Sequence, residues 1–406
     1  MSADTPEASA QPAPNQDSPS PARIRVLSTA CLAHIVQDGL TDMLYVFFPV
    51  WQQLFALSFS QVGLLKTLFS GTLAAFQIPA GALGARLGVR NTLALGTLLA
   101  GLCLFFASYA AAPLGLWILL TLGGLASSAQ HPVGASAISQ AYTGKASRNA
   151  LSAFNFSGDV GKLLFPAVAA LLIARTDWGT AMRGMSVTAV VCGAAIFLLM
   201  RGTHAESSAR AKAPAPSGGC ARGGLGLPFW SMASIGVLDS AGRMGFLTFL
   251  PFVLRDKGAD METLGLALGL IFAGGAAGKL VCGMMAARVG VLRSVIVTEG
   301  ATALMILLTA SAPLWLALCV CPLLGVVLNG TSSVLYGSVP ELVEQEARGR
   351  AFACFYTGTI GAGAVAPLLY GAVSDMIGVE ASVKIVAAMV LLAVPLTWPL
   401  RGKMRG

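Results

Sequence analysis

His34, Asp38 and Asp42 follow one another at four-residue steps inside one apolar stretch, Val26 to Val50, so all three project from nearly one face of a helix. A charge at the centre of a bilayer costs about 2.5 to 3.5 kcal/mol on insertion scales, so three ionisable groups on one membrane-length stretch need a task. Carboxylates and an imidazole there can bind a proton when water is withdrawn and release it when water returns. Asp38 is the first candidate for proton coupling, with His34 one turn away as a relay and Asp42 and Asp159 as further candidates. Arg243 and Lys279 are candidates to hold an anionic group, Arg243 through a planar two-pronged contact. His131, Asp239 and Lys162 complete the candidate substrate-binding set. Each has a plainer alternative. Asp159 and Lys162, or Asp239 and Arg243, are spaced to neutralise one another on their own helix. Asp38 could pair with Arg243, the histidines could be bonded across helices, and Asp42, nearer the end of its stretch, could simply be solvated.

The elements that must position these residues are membrane spans. The chain has 406 residues, 55% of them hydrophobic and only 11% charged, and its mean hydropathy is +0.75. That composition belongs to a chain lying mostly in lipid. Runs long enough to cross a hydrocarbon layer of ~30 Å fall near 26–50, 62–84, 91–110, 114–140, 150–174, 182–200, 228–252, 263–285, 293–311, 314–339, 351–373 and 381–400. The expected fold is therefore all-α and integral to the membrane, with twelve transmembrane helices in two six-helix bundles. Residues 1–22, rich in Pro, Ala, Ser and Gln, read as a disordered cytoplasmic tail and lack the apolar core of a signal peptide. Residues 201–226 read as a flexible linker between bundles at 23–200 and 227–406.

The halves look duplicated. Pro49 and Arg86 are as far apart as Pro251 and Arg288, and Gly84-Ala85-Arg86-Leu87-Gly88 is answered by Ala286-Ala287-Arg288-Val289-Gly290. With the N-terminus inside, most Lys and Arg fall on inner segments, and the outer ones hold Arg175, Arg183, Arg255, Lys257 and Lys384. Both termini are then expected in the cytoplasm.

Other functions have little to rest on. The net charge of +8 is scattered over short loops and forms no nucleic-acid patch. The eight cysteines show no C-x-x-C spacing, so neither a metal site nor a cofactor is expected. The glycines of Gly274-Gly275-Ala276-Ala277-Gly278, and Gly358, Gly361 and Gly363, suit close helix packing. No Walker lysine spacing accompanies them. A membrane-embedded enzyme using His34, Asp38 and His131 is the alternative from another class, but no H-E-x-x-H or G-x-S-x-G motif supports it.

Twelve spans, a basic central loop and Gly81-Ala82-Leu83-Gly84-Ala85-Arg86-Leu87-Gly88-Val89-Arg90 between the second and third spans together resemble the major facilitator superfamily. Gly81, Leu83, Arg86, Gly88 and Arg90 match its loop motif, whereas the acidic position is Ala85 here and Ala287 in the second half. The resemblance implies a central cavity lined by the first, fourth, seventh and tenth spans, and a cytoplasmic charge latch that this loop lacks. The ionisable residues above fall on the spans so implied or their flanks, and Glu299, in the ninth, is expected to pair or stay wetted near the inner surface. His34-Ile35-Val36-Gln37-Asp38, Gln130-His131-Pro132, Gly158-Asp159-Val160-Gly161, Asp177-Trp178-Gly179 and the stretch from Gly371 to Gly378 are similar to the fosmidomycin resistance group of efflux carriers.

The function expected is secondary active transport by alternating access in a bacterial inner membrane. It is expected to be proton-coupled efflux of a small organic compound or drug by a functional monomer, with proton-driven uptake of a small organic anion as the alternative.

Overall fold

The computed structural model describes residues 20–202 and 225–401. The predicted tail up to residue 19 and linker residues 203–224 lie outside them, as do residues 402–406. The chain forms α1 (Pro21–Phe55), α2 (Phe59–Leu87), α3 (Val89–Ala107), α4 (Pro113–Ser127), α5 (Gln130–Ala141), α6 (Gly144–Arg175) and α7 (Trp178–Leu199) in the first half. The second half holds α8 (Leu227–Asp256), α9 (Met261–Val289), α10 (Val291–Ser311), α11 (Leu314–Ser338), α12 (Arg348–Ile377) and α13 (Val379–Leu391), the last continued by a 3-10 turn, Pro395–Leu400. α4 and α5 are one membrane crossing broken at Ser128 and Ala129. Pro132 has no N–H for the Ser128 carbonyl and its ring crowds that group, which ends the α-helical ladder there. With that pair taken together the chain makes the twelve expected crossings.

Ten helical segments among the described residues are long and apolar enough to cross a membrane by themselves. α1 is not among them because its ionisable and amide side chains dilute it, and the broken α4 and α5 are each too short. α1 and α8 are nevertheless the most enclosed helices, burying Tyr45, Phe47, Phe48 and Trp51 on one and Phe246, Phe249 and Leu250 on the other. Exposed Ile78, Leu280, Leu323 and Leu369 give the bundle the apolar exterior that lipid requires.

Helix ends follow local chemistry. Ser58 and Gln61 form a capping box on α2, while Asp177 and Asp260 accept from the Thr180 and Thr263 amides to start α7 and α9. Gly88, Gly290 and Gly378 each turn one helix into the next with φ of 84°, 87° and 86°, a region that favours glycine. Arg86 and Leu83 of the motif are exposed, and Arg90 bonds the Phe197 carbonyl at 2.9 Å while stacking on its ring, tying α3 to α7.

The even crossings define a base, where α1 begins, and a tip, where α1 turns into α2. At the tip the halves are joined by Asp375 to the Phe59 and Ser60 amides, by Arg175 to Glu262, and by Arg255 to Gln53 and the Pro49 carbonyl.

Candidate functional site: a charged cavity between the halves

A cavity of about 600 Å³ lies between the two halves, with Asp38, Asp42, Lys66, His131, Lys162 and Arg243 on its wall. Tyr45 meets Met244 across the halves at 3.5 Å. The wall continues through Gln77 of α2, Ala135 of α5, Asn155 of α6 and Tyr356 of α12, all on the base side of their helices. The cavity therefore opens toward the base and is closed toward the tip.

Asp38 is the centre of the charged set. His34 Nε2 lies 3.3 Å from one of its oxygens, Lys162 Nζ 3.3 Å from the same oxygen, and His131 Nε2 3.4 Å from the other. Two α1 residues, one from α5 and one from α6 thus meet at one carboxylate. His34 Nδ1 is 2.7 Å from the Phe154 carbonyl oxygen, which can only accept, so Nδ1 carries a hydrogen. Its Nε2 is then an open lone pair unless a second proton sits between it and Asp38. The Phe154 ring stacks on the imidazole at 4.1 Å between centroids and holds it in place.

Two glycines make this arrangement possible. A Cβ on Gly158 would stand 2.6 Å from an Asp38 oxygen and 2.7 Å from His34 Nε2, and one on Gly161 would strike the Ile35 carbonyl. The Gly158-Asp159-Val160-Gly161 run therefore lets α6 lie directly against the α1 pair, and it leaves Asp159 and Lys162 on either side of the contact.

The expected self-neutralising pairs do not form. Lys162 reaches Asp38, whereas Asp159 takes Lys279 from the other half, with Nζ 2.6 and 2.7 Å from its oxygens. Asp239 accepts from Ser332 at 2.9 Å, and the Arg243 Nε is buried without a partner. Packing between helices supplied nearer counter-ions than the helix's own next turn. Asp38 pairs with two histidines and Lys162 in place of Arg243. Asp42 is buried on the cavity wall, 3.9 Å from Lys66, instead of being solvated. Lys66 is fully enclosed, 4.2 Å above the Tyr45 ring. Glu299 is neither wetted nor paired: it is 1% exposed, and both its oxygens lack a partner among the described residues.

His34, Asp159, Asp239 and Lys279 stand behind or beside the wall. Asp239 shares a small side pocket of about 70 Å³ with Arg243, Ser332 and Tyr336. Thr41, Asn155, Gln77 and Tyr356 escaped notice in the sequence because uncharged polar residues in apolar helices carry no spacing signal.

A family model described as the Major Facilitator Superfamily matches residues 30–231 and 232–405. The chain belongs to the major facilitator superfamily. Solved structures similar to this major facilitator include a bacterial homolog of the human lysosomal transporter Spinster in an inward-facing, occupied conformation, with a TM-score of 0.76 at 16% identity over 94% of this chain and 97% of that one. The same transporter, inward-facing and unoccupied, matches with a TM-score of 0.72 at 16% identity over the same shares. A mutant of the nucleoside transporter NupG matches with a TM-score of 0.74 at 12% identity over 94% and 100%. At these identities the likeness is one of fold. Among curated protein sequences none matches significantly. Family and fold together make this a multi-pass membrane transporter of the major facilitator type.

Proposed function

We propose that this major facilitator is a proton-coupled antiporter that exports a small organic compound, with Asp38 as its coupling carboxylate. The observation that carries the reading is one buried carboxylate held 3.3 to 3.4 Å from three bases at the wall of a cavity between two halves. Such a group can exchange partners. While Lys162 faces it, Asp38 has a countercharge. When cargo or the opening of the other side draws Lys162 off, the carboxylate is left in a low-dielectric site, and a proton is the smallest replacement. His34 offers the path, because a proton between its Nε2 and Asp38 needs to move only across one hydrogen bond.

The distribution of Lys and Arg supports a cytoplasmic base in a bacterial inner membrane, so that this conformation faces inward. The short motifs of α1, α5 and α6 support a place among fosmidomycin-resistance-like drug exporters acting as monomers. A second reading, proton-driven uptake of a small organic anion, is favoured by the two cations Lys162 and Arg243 on the cavity wall. Proteoliposomes under an imposed pH gradient, loaded with a panel of anionic and lipophilic compounds, test both. The wild type is expected to move cargo with collapse by a protonophore, and Asp38→Asn to lose the coupling; full coupling in Asp38→Asn overturns the assignment.

A further inference from the structure

The lone pair of a neutral His34 Nε2 points at a carboxylate, and that is an arrangement of two acceptors with a gap between them. His131 brings a third. The donor atoms of His34, Asp38 and His131 all lie within 4.8 Å of one another, with His34 Nε2 to Asp38 at 3.3 Å and His131 Nε2 to Asp38 at 3.4 Å. A tetrahedral ion with bonds of about 2.0 to 2.1 Å to nitrogen and oxygen has donor-to-donor edges of roughly 3.4 Å. Each imidazole is at that length from a different Asp38 oxygen, so an ion held through one oxygen finds one edge already formed and the remaining donors within 4.8 Å. Those edges close by a swing of His131, whose side chain is 35% exposed to the cavity.

The surroundings match this use. His34 donates its other ring nitrogen to the Phe154 carbonyl at 2.7 Å, the outer contact by which metal-bound imidazoles are fixed in tautomer and direction. The donor set, two imidazoles and a carboxylate, suits late first-row divalent ions such as Zn²⁺ and Co²⁺ over Mg²⁺ or Ca²⁺. Because Asp38 and His131 line the cavity, a fourth coordination position faces cargo or water.

We propose that His34, Asp38 and His131 form a binding site for a Zn²⁺-class divalent ion on the cavity wall. One neighbour opposes it: Lys162 occupies an Asp38 oxygen at 3.3 Å. The ion must displace that ammonium, which is 32% exposed and has Asp42 and Asp159 within electrostatic reach. Bound metal thus replaces Lys162 as the countercharge of Asp38. The sequence brought the same three residues together only for a rival enzyme reading, and cysteine spacing, on which the expectation of no metal rested, carries no information about two histidines and a carboxylate from two helices.

The test is direct and independent of what the cavity transports. The full chain, free of any affinity tag, carries three histidines, so His204→Ala in the linker removes the only other imidazole. Titrating this protein in detergent with Co²⁺ is expected to give the intense visible bands of four-coordinate cobalt, displaced by Zn²⁺. His34→Gln and His131→Gln are each expected to weaken binding by about a hundredfold or more, with chromatography showing intact, monodisperse protein. Lys162→Gln is expected to tighten binding severalfold, a gain that misfolding cannot produce. Binding that survives both histidine variants, bands of cobalt–thiolate charge transfer, or weaker binding in Lys162→Gln would overturn the proposal.

Discussion

The Asp375 carboxylate receives the Phe59 amide at 2.6 Å and the Ser60 amide at 2.9 Å, so the last turn of α12 caps the first turn of α2 across the two halves. Asp375 stands three residues before Gly378, the place that Ala85 and Ala287 hold before Gly88 and Gly290. The acid that the base-side loops lack is thus present at the tip, in the same register before the same kind of glycine turn, where the helix dipole of α2 favours it. Hydrogen bonds to a charged group contribute about 1.5 to 3 kcal/mol, so Asp375→Ala is expected to shift the balance toward tip-open forms by about tenfold to a hundredfold. Spin-label distances between the α2 start and the α12 end measure it, and an unchanged distribution would show that Asp375 does not hold the tip closed.

Lys279 and Asp159 form an unequal pair. The lysine side chain is 40% exposed and can reach water when left alone, whereas the carboxylate is 10% exposed and cannot. Lys279→Ala should therefore lower the thermal midpoint in detergent more than Asp159→Asn, by up to about 3 kcal/mol before allowance for that exposure. The double variant should recover part of the loss. Equal effects of the two single variants would contradict this.

Gly158→Ala places a methyl group against both His34 and Asp38. Something there must shift, and the movable partners are the two functional side chains. The expected outcome is loss of coupled transport with a modest fall in stability, on the order of 1 to 3 kcal/mol for an overpacked site. Retained coupling would mean that the close α1–α6 approach is not needed for function.

Arg243 stands on the cavity wall, where its guanidinium can meet cargo. Arg243→Ala is expected to weaken anionic cargo by about tenfold or more while leaving neutral cargo little changed, and Arg243→Lys should not restore the two-pronged contact. Equilibrium binding of matched anionic and neutral compounds distinguishes this from a general packing defect. Lys279→Ala should weaken anions too if the Asp159 pair opens to cargo.

Asp177 caps α7 outside the membrane, and the Thr180 hydroxyl and amide that bond its carboxylate lower its pKa below the usual 3.8. A depressed folded-state value means the cap's contribution is present above the unfolded pKa and disappears as pH falls through the folded one. The gap in thermal midpoint between wild type and Asp177→Ala should be constant near neutrality and narrow below about pH 4. A gap that widens in acid would reverse the sign argued here.

Sequence alone determined the membrane class, the twelve crossings, the two halves and which ionisable residues fall within apolar spans, because all of these depend on hydropathy over a span and on residues near in the chain. The loop that contains Gly88 and its repeat at Gly290 were equally legible, since the motif is local, and the structure makes each glycine the turn between two helices. Partners were not. Spacing along a helix suggested that Asp159 would serve Lys162 and Asp239 would serve Arg243, yet the folded bundle gives Lys162 to Asp38, Asp159 to Lys279 and Asp239 to Ser332. Glu299 was expected near water and lies enclosed. In a low-dielectric interior the strongest available counter-ion or donor is the nearest one, and distance across the gap between helices is decided by packing, here by glycines such as Gly158 and Gly161 that bring α1 and α6 together. The tertiary structure therefore chose the partners of the site from ionisable residues that the sequence had singled out within apolar spans.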